Sequence, residues 1–318
     1  MVTGVEKPYV LGMDIGGTNS VFGVVDQRGN VLVSDSVKTQ EYTEVLEYVA
    51  AVTSKIKPMV SQFGGIEKFK GFGIGAPNGN FYSGTIEFAP NLPWKGVIRL
   101  KKMFEDALGI PCALTNDANA AAIGEMTYGA ARGMKDFIMI TLGTGVGSGI
   151  VANGQLIYGH DGFAGELGHM IVDRSAEARL CGCGRRGCLE TYCSARGIVR
   201  TAQDFIDAGR KTLLSEVGEL SSYEIYKAAK QGDEVALETF RITGETLGKA
   251  CADITTFCSP EAYIFFGGPM RASEFIMPSI ISSYNEQVMP IYRHRCKFLV
   301  SELMDKNAAV LGAAALKV

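Results

Sequence analysis

The chain has 318 residues, of which 47% are hydrophobic and 20% are charged, so it carries enough apolar side chains for two folded domains. Its formal net charge of −3 and isoelectric point near 5.8 argue against a nucleic-acid partner, because binding to phosphates favours a basic face. Charges of both signs are mixed along the chain, and no run of like charge predicts a tail.

The N-terminal region predicts a β-meander that begins at Tyr9. It lacks the apolar core of a secretory signal, so we expect a cytoplasmic protein. The strand YVLGMD, the turn IGGTN and the strand SVFGVVD follow one another, and QRGN leads into the strand VLVSDSV. Asp14 ends the first strand, where a carboxylate can face a phosphate-bound Mg²⁺. Gly16, Gly17 and Thr18 can approach phosphate oxygens closely, although an ordinary hairpin explains this turn equally well.

The next segments predict two helices separated by a strand and a long loop. Residues 43–63 carry apolar side chains at helical spacing, and Pro58 is expected to kink or divide that helix. The strand KGFGIGAP then enters a loop rich in turn residues, in which Asn78 and Asn91 are polar candidates. Residues 96–108 predict the second helix.

Two polar residues end the next predicted strand, IPCALTND. They are Asn116 and Asp117, and the helix-forming stretch ANAAAIGEMTYGAA follows them. Asp117 therefore lies between a strand end and a helix start, which is where ligands gather in α/β proteins. Helix capping is the ordinary alternative for an aspartate at such a junction.

A second glycine-rich hairpin repeats the pattern of the first. An apolar strand begins at Phe137 and is followed by the turn TLGTGVG, the strand SGIVA, the hairpin signal Asn153-Gly154 and the strand QLIYG. Two such hairpins on either side of a cleft would hold a polyphosphate between them. Two unrelated hairpins are the alternative.

The stretch 161–194 has the spacing of a metal site. One histidine and three cysteines form a Cys3His set, which suits a structural zinc ion because all four tetrahedral positions are filled by protein: His169, Cys181, Cys183 and Cys188. A disulfide cluster is the alternative. Cys181 and Cys183 are too close to bridge each other without strain, and a reducing compartment favours metal binding.

Two glutamates flank this predicted metal site. Glu166 precedes His169 by three residues and Glu190 follows Cys188 by two, so a binding role competes with that of a solvated surface charge. Four other cysteines are assigned to the hydrophobic core, namely Cys112, Cys251, Cys258 and Cys296.

The last part of the chain is predicted to be mainly helical, at 195–208, 222–231 and 234–257. The strand AYIFF then runs into Gly267 and Gly268, a pair that lets a flat ring approach the backbone, although a plain turn fits equally well. A strand CKFLVSEL and an apolar helix AAVLGAAALK end the chain. That helix is too short to cross a bilayer, so no membrane partner is expected.

Together these motifs resemble the ROK family of sugar kinases, and bacterial ROK glucokinases in particular. The matching motifs occur in order as DIGGTN at 14–19, GAP at 75–77, APNLPW at 89–94, NDANAAA at 116–122, LGTGVGSG at 142–149, GFAGELGHM at 162–170, CGCGRRGCLE at 181–190 and GGP at 267–269. The resemblance implies an α/β, actin-like ATPase (ribonuclease H-like) fold with two lobes around a central cleft. It also implies a small lobe of residues 1–116 and 305–318, and a large lobe of residues 117–304 that carries the zinc site.

The resemblance further implies a role for each candidate residue. Asp117 is the expected catalytic base, and the expected sugar contacts are Asn91, Asn116, Asp117, Glu166, His169 and Glu190. The expected contacts to ATP and Mg²⁺ are Asp14, Gly16, Gly17, Thr18, Thr141, Gly143, Thr144 and Gly145, with Gly267 and Gly268 near adenosine. The structural zinc ion orients His169, and family members are often dimers or higher homo-oligomers.

The implied reaction is ATP-dependent phosphorylation of a hexose at its 6-hydroxyl, with glucose as the first candidate. Kinases for N-acetylmannosamine, N-acetylglucosamine, mannose and fructose share most of these motifs. A sugar-responsive repressor is a weaker alternative, because its helix-turn-helix segment needs more than the dozen residues before Asp14. An actin-like assembly ATPase leaves the zinc cluster and the paired glutamates unexplained.

Overall fold

The computed structural model describes residues 6–304 and 308–316. Its strands are β1 (Tyr9–Ile15), β2 (Asn19–Asp26), β3 (Val31–Lys38), β4 (Phe69–Ala76), β5 (Gly79–Asn80), β6 (Thr85–Glu87), β7 (Val97–Ile98), β8 (Cys112–Asn116), β9 (Phe137–Leu142), β10 (Val146–Ala152), β11 (Gln155–Leu156), β12 (Ala262–Phe266) and β13 (Lys297–Val300). Its helices are α1 (Val45–Gln62), α2 (Leu100–Leu108), α3 (Asp117–Tyr128), α4 (Glu190–Cys193), α5 (Ala195–Asp207), α6 (Ser222–Lys230), α7 (Glu234–Cys258), α8 (Ser273–Gln287) and α9 (Ala308–Ala314). Among these helices, none combines the length and the apolar character that crossing a membrane requires.

The chain divides into two compact units, each with its own five-stranded sheet. The first unit takes the described residues of Met1–Gly133, Leu156–Ala164 and Glu302–Val318, and the second takes Met134–Gln155 and Gly165–Ser301. The division into lobes after residues 116 and 304 stays a prediction. Residues 305–307 and 317–318 of the predicted small lobe lie outside the described residues.

The sheet of the first unit has the strand order β3-β2-β1-β4-β8. Strand β1 is antiparallel to β2 and parallel to β4, which is in turn parallel to β8. The predicted N-terminal meander is confirmed. Seven of the eight residues of β4 are buried, as expected for a central parallel strand that is covered on both faces.

The sheet of the second unit repeats that arrangement in the order β11-β10-β9-β12-β13. Strand β9 is antiparallel to β10 and parallel to β12, and β12 is parallel to β13. The predicted turn between β10 and β11 is confirmed, since Asn153 and Gly154 both have left-handed φ values of 52° and 73°. Each unit thus begins with a hairpin and continues its sheet with parallel strands.

Helix α1 packs through the face that its sequence predicts. Val49, Val52, Ile56 and Val60 are buried, and the helix runs unbroken from Val45 to Gln62. The prediction that Pro58 divides this helix is therefore wrong. Pro58 lies on the exposed side, where water can satisfy the carbonyl that lacks a helical partner.

Helix α9 closes the core of the first unit against two glycines. A Cβ atom at Gly12 would lie 2.2 Å from the carbonyl oxygen of Val310, and one at Gly73 would lie 1.7 Å from that of Ala313. Only glycine permits this close approach between the helix and strands β1 and β4. Helix α9 therefore completes the core of the first unit.

Two other predictions are corrected by the structure. The predicted helix 96–108 begins only at Leu100, because Ile98 pairs with Ile86 in the small sheet of β5, β6 and β7. Cys258 is exposed at the end of α7, whereas Cys112 and Cys251 are buried as predicted. Cys296 is partly buried.

Candidate active site

Strand ends bring three polar residues of the first unit to one edge of its sheet. Asp14 on β1 lies opposite Gly75 on β4, and the next residue of β4, Ala76, lies opposite Asn116 on β8. Asp117 follows as the first residue of α3. The carboxyl ends of three neighbouring parallel strands therefore place Asp14 and Asp117 at the edge where α/β proteins bind ligands.

The surroundings of these two aspartates disfavour their charged forms. Burial raises the pKa of Asp14 from 3.8 to about 7, and the negative charge of Asp117 adds to that shift. Burial also raises the pKa of Asp117 above its ordinary value, while a hydrogen bond from the backbone N–H of Ala118 opposes the shift. Asp117 nevertheless retains exposed surface, so a substrate can reach it.

Asn116 is fixed by the start of helix α3. Its side-chain oxygen accepts a hydrogen bond of 2.8 Å from the backbone N–H of Ala118 and caps the helix. The Asp117 carboxylate accepts from the same N–H, also at 2.8 Å. Helix capping thus holds both side chains in place without occupying all of their oxygen lone pairs.

The first glycine turn, residues 16–18, is held by hydrogen bonds from Thr39 and Gln40. Thr39 donates its hydroxyl to the carbonyl of Gly16 and its backbone N–H to that of Thr18, both at 2.8 Å. The side-chain amide of Gln40 donates to the carbonyls of Gly17 and Asn91. These bonds use carbonyl oxygens of the turn, and the loop that carries the exposed Asn91 is thereby tied to Gly17.

The second glycine turn is as tight as its sequence predicts. Residues 143–145 connect β9 to β10, and the N–H of Gly143 donates to the carbonyl of Gly145 at 2.9 Å. Thr144 is exposed, and Thr141 belongs to β9. The Glu190 carboxylate accepts a hydrogen bond of 3.1 Å from the N–H of Val146, which directly follows the turn.

The four predicted metal ligands converge in the second unit. The ligand atoms of His169, Cys181, Cys183 and Cys188 all lie within 4.8 Å of one another. The Sγ atoms of Cys183 and Cys188 are 3.7 Å apart, and the Sγ atom of Cys181 is 3.7 Å from Nδ1 of His169. Zinc–sulfur bonds of about 2.3 Å at the tetrahedral angle separate two sulfurs by about 3.8 Å, so this cluster is compatible with a structural zinc ion.

The two glutamates that flank the predicted ligands in the sequence, Glu166 and Glu190, both lie in the second unit. The other oxygen of the Glu190 carboxylate is 3.7 Å from Sγ of Cys181. Glu166 is exposed and precedes the short 3-10 helix that carries His169. A Cβ atom at Gly168 would lie 2.0 Å from the carbonyl oxygen of Val146, so this short helix packs directly on the start of β10. Of the two ring nitrogens of His169, Nδ1 is the one that faces Cys181.

Gly268, the second glycine of the pair after β12, borders a cavity of about 220 Å³ in the second unit. Gly267 packs against β9, because a Cβ atom there would lie 2.0 Å from the carbonyl oxygen of Leu142. Apart from its chain neighbours, no described residue has an atom within 4 Å of a Cβ position at Gly268, which lines the cavity together with Tyr223, Tyr226 and Arg271. The cavity offers aromatic faces and one cation, which suits a flat, electron-rich ring.

Sequence reasoning missed several residues that shape these sites. Tyr223 and Tyr226 are three residues apart on α6, and their i, i+3 spacing is the signal that places both on one helix face. The side chain of Arg179 is only 11% exposed, and it donates to the carbonyls of Thr191 and Gly197 beside Glu190. No local sequence pattern marks Arg179, because its partners are 12 and 18 residues away.

Comparison with known proteins places the chain among ROK family proteins. A family model described as "ROK family" matches residues 10–318. A glucokinase of Streptomyces coelicolor is 34% identical over 314 residues, covering 96% of this chain and 96% of that protein. A xylose repressor of Bacillus subtilis is 27% identical over 97% of this chain and 76% of its own length.

A solved structure agrees with these relatives. The ROK family glucokinase of Streptomyces griseus, in complex with glucose and AMPPNP, has a TM-score of 0.79 and 35% identity, over 96% of this chain and 98% of that one. The predicted resemblance and the predicted α/β, actin-like ATPase fold are therefore confirmed.

Proposed function

This chain belongs to the ROK family, and from that premise we propose that it transfers the γ-phosphoryl group of ATP to the 6-hydroxyl of a hexose, with glucose as the preferred acceptor. Relatives that are glucokinases, at 31–34% identity, support the broader activity of a sugar kinase. The choice of glucose rests on those relatives and on the similar Streptomyces griseus glucokinase, whose structure contains glucose.

One observation carries the proposal of a kinase. Asp117 is reachable, lies beside Asp14 at the carboxyl edge of a parallel sheet, and has a raised pKa. A base in this setting can accept the proton of a sugar hydroxyl as its bond to phosphorus develops. Asp14 would hold Mg²⁺, which neutralises charge on the phosphates when it is bound.

We assign recognition of the hexose to the second unit and to the loop that carries Asn91. Glu166 and Glu190 accept hydrogen bonds from sugar hydroxyls, and Nε2 of His169 meets a further hydroxyl. Several fixed bonds of this kind restrict the rotation of the sugar and hold one hydroxyl in position for transfer. Asn116 contributes its side-chain amide group, whose nitrogen is not used by the helix cap.

The nucleotide is assigned to the two glycine turns and to the cavity beside Gly268. Turns of this kind present backbone N–H groups to phosphate oxygens, and the faces of Tyr223 and Tyr226 offer stacking to adenine. The structural zinc ion would be held by His169 and the three cysteines, and it would fix the orientation of the His169 ring.

A sugar-sensing regulator is the second candidate, because a repressor matches 97% of this chain. The two functions differ in what they require of Asp117. Sensing requires only that a sugar binds, whereas transfer requires a base that is reachable and poorly solvated. The raised pKa of Asp117 favours the kinase.

The deciding experiment is an ADP-release assay with Mg²⁺ and ATP across glucose, mannose, fructose, N-acetylglucosamine and N-acetylmannosamine. We expect ADP release that depends on hexose, with the highest kcat/KM for glucose. A different best substrate would correct the acceptor alone. Hexose binding without ADP release would favour the regulator, and ADP release that is independent of any sugar would favour an assembly ATPase.

A further inference from the structure

We infer that the Glu190 carboxylate couples the glycine turn 143–145 to the hexose site, so that a change in the turn that displaces this carboxylate alters hexose affinity even when no nucleotide is bound. The inference rests on the proposed function, in which the turn binds phosphate and Glu190 binds a sugar hydroxyl. The new element is that a displacement at one of these two contacts also displaces the other.

Two hydrogen bonds tie the turn to the α4–α5 region on both of its sides. On one side Glu190, the first residue of α4, accepts from the N–H of Val146 at 3.1 Å. On the other side the N–H of Ala195, the first residue of α5, donates to the carbonyl of Gly143 at 2.9 Å. The turn therefore cannot shift without moving the start of α4 and the carboxylate that it carries.

The space around the turn shows how directly Glu190 supports it. A Cβ atom at Gly145 would lie 2.3 Å from a carboxylate oxygen of Glu190 and 3.2 Å from its carboxyl carbon. The three atoms nearest to this Cβ position all belong to the side chain of Glu190. A methyl group at this position would therefore displace the carboxylate, which is the mobile end of a side chain, and would leave the fold intact.

Gly143 provides a matched control within the same turn. Within the described part of the chain, only its sequence neighbours come within 4 Å of a Cβ position at Gly143, and neither Gly143 nor Gly145 has a left-handed φ. Alanine is thus conformationally acceptable at both positions. The two substitutions differ only in whether the added methyl group meets Glu190.

Coupling between two binding sites is reciprocal. If the turn positions Glu190 for the hexose, then a hexose bound to Glu190 must stabilise the turn for the nucleotide. Glu190 can serve both partners at once, because a carboxylate has about four acceptor positions and the N–H of Val146 occupies one of them. Hexose and nucleotide are therefore expected to bind with positive cooperativity.

The test is hexose binding by calorimetry without nucleotide, using the full chain. We expect Gly145→Ala to weaken the hexose complex about 10-fold or more, since a hydrogen bond to a charged group is lost. Gly143→Ala should bind hexose as the wild type does. In a Glu190→Ala background, Gly145→Ala should cause no further loss, because the group that it displaces is already gone.

Each contrary outcome is distinct. Wild-type hexose affinity in Gly145→Ala would overturn the coupling, and so would equal losses in Gly145→Ala and Gly143→Ala. Loss of zinc from Gly145→Ala would also overturn it, because the effect would then arise from the metal cluster. If Gly145→Ala does not fold, Glu190→Asp gives the reciprocal test, and unchanged nucleotide affinity without hexose would overturn the inference. None of these results depends on turnover, whereas failure of the proposed function would appear as absent ADP release in the wild type.

Discussion

At the scale of single residues, the two aspartates of the first unit differ in how the sheet presents them. Asp14 lies within a strand and is half-buried, whereas Asp117 begins a helix and keeps exposed surface. The raised pKa of each is caused first by burial. A bound cation would stabilise the negative charge of Asp14, which burial disfavours. Asp117, which keeps exposed surface, is better suited to accept a proton.

For Asp117→Asn we expect kcat to fall by about two to four orders of magnitude, the usual contribution of a general base. The fold should persist, because an asparagine oxygen can still accept the hydrogen bond from Ala118. Steady-state kinetics with circular dichroism and a zinc determination would measure this. A variant with nearly wild-type kcat would exclude Asp117 as the base.

Asp14 should make stability depend on pH. Its pKa rises from 3.8 in the unfolded chain to about 7 in the fold, so between these values the folded protein binds more protons. The free energy of unfolding contributed by this group therefore decreases as pH rises through that window. We expect Asp14→Asn to remove this contribution, so that Tm of the variant declines less than that of the wild type between about pH 4 and pH 7. Parallel Tm curves for the two proteins would contradict it.

At the scale of elements, residues 170–189 join the short 3-10 helix of His169 to α4 and α5. Besides the cluster of His169 and three cysteines, Arg179 contacts α4 and α5 by donating hydrogen bonds to their carbonyls, and it pairs with Asp204 at 2.7 Å. Gly187 closes the loop, since a Cβ atom there would lie 1.8 Å from the carbonyl oxygen of Asp173. The buried guanidinium therefore fixes the element that begins with Glu190, and a zinc ion in the Cys3His cluster would fix it a second time.

We expect Cys183→Ser to abolish zinc binding and hexose phosphorylation together, because a serine hydroxyl is a poor zinc ligand. Cys183 is exposed, so the substitution removes a ligand without opening a cavity in the core. Cys258→Ser is the matched control, since Cys258 is also exposed but lies outside the cluster. Metal analysis and ADP release would be measured on both variants, and normal turnover by a zinc-free Cys183→Ser protein would refute the role of the cluster.

Helix α6 should influence the nucleotide alone. We expect Tyr223→Ser to raise KM for ATP about 3- to 10-fold, which corresponds to the energy of one aromatic stacking contact. Tyr223 is 57% exposed, so little stability should be lost. Hexose KM serves as the internal control. An unchanged KM for ATP would place adenine outside the cavity beside Gly268.

At the scale of the whole molecule, the first unit combines the N-terminal segments with the C-terminal helix α9. Helix α9 packs on β1, β4 and α3, and a Cβ atom at Gly312 would lie 2.0 Å from the carbonyl oxygen of Ala120. The segment Leu156–Ala164 also belongs to the first unit, where the amide of Asn80 donates to the carbonyl of Asp161 at 2.7 Å. The expected homodimer or higher homo-oligomer stays a prediction.

Gly73→Ala should destabilise the protein by about 1–3 kcal/mol, the usual cost of overpacking a core. The added methyl group would meet the backbone of α9, which cannot move aside as a side chain can. Gly218→Ala is the control, because its Cβ position has open space around it among residues 6–304 and 308–316. Chemical denaturation would compare the two, and equal stability would mean that α9 does not constrain β4.

The sequence by itself determined the local features of this protein. Strand-turn-strand spacing predicted the hairpin β1–β2 and the Asn153-Gly154 turn, and helical periodicity predicted α1. Ligand spacing predicted the Cys3His cluster. Each of these features depends on residues that are close along the chain, so the sequence pattern of one segment is enough to predict it.

Only the tertiary structure decided how distant segments meet. It placed Asp14 beside Asp117, attached Glu190 to the turn 143–145, and set Arg179 against α4 and α5. It also left Cys258 exposed and α1 unbroken at Pro58, since burial depends on what packs against each position. Parallel strands pair over long separations, and nothing in the local sequence records that pairing.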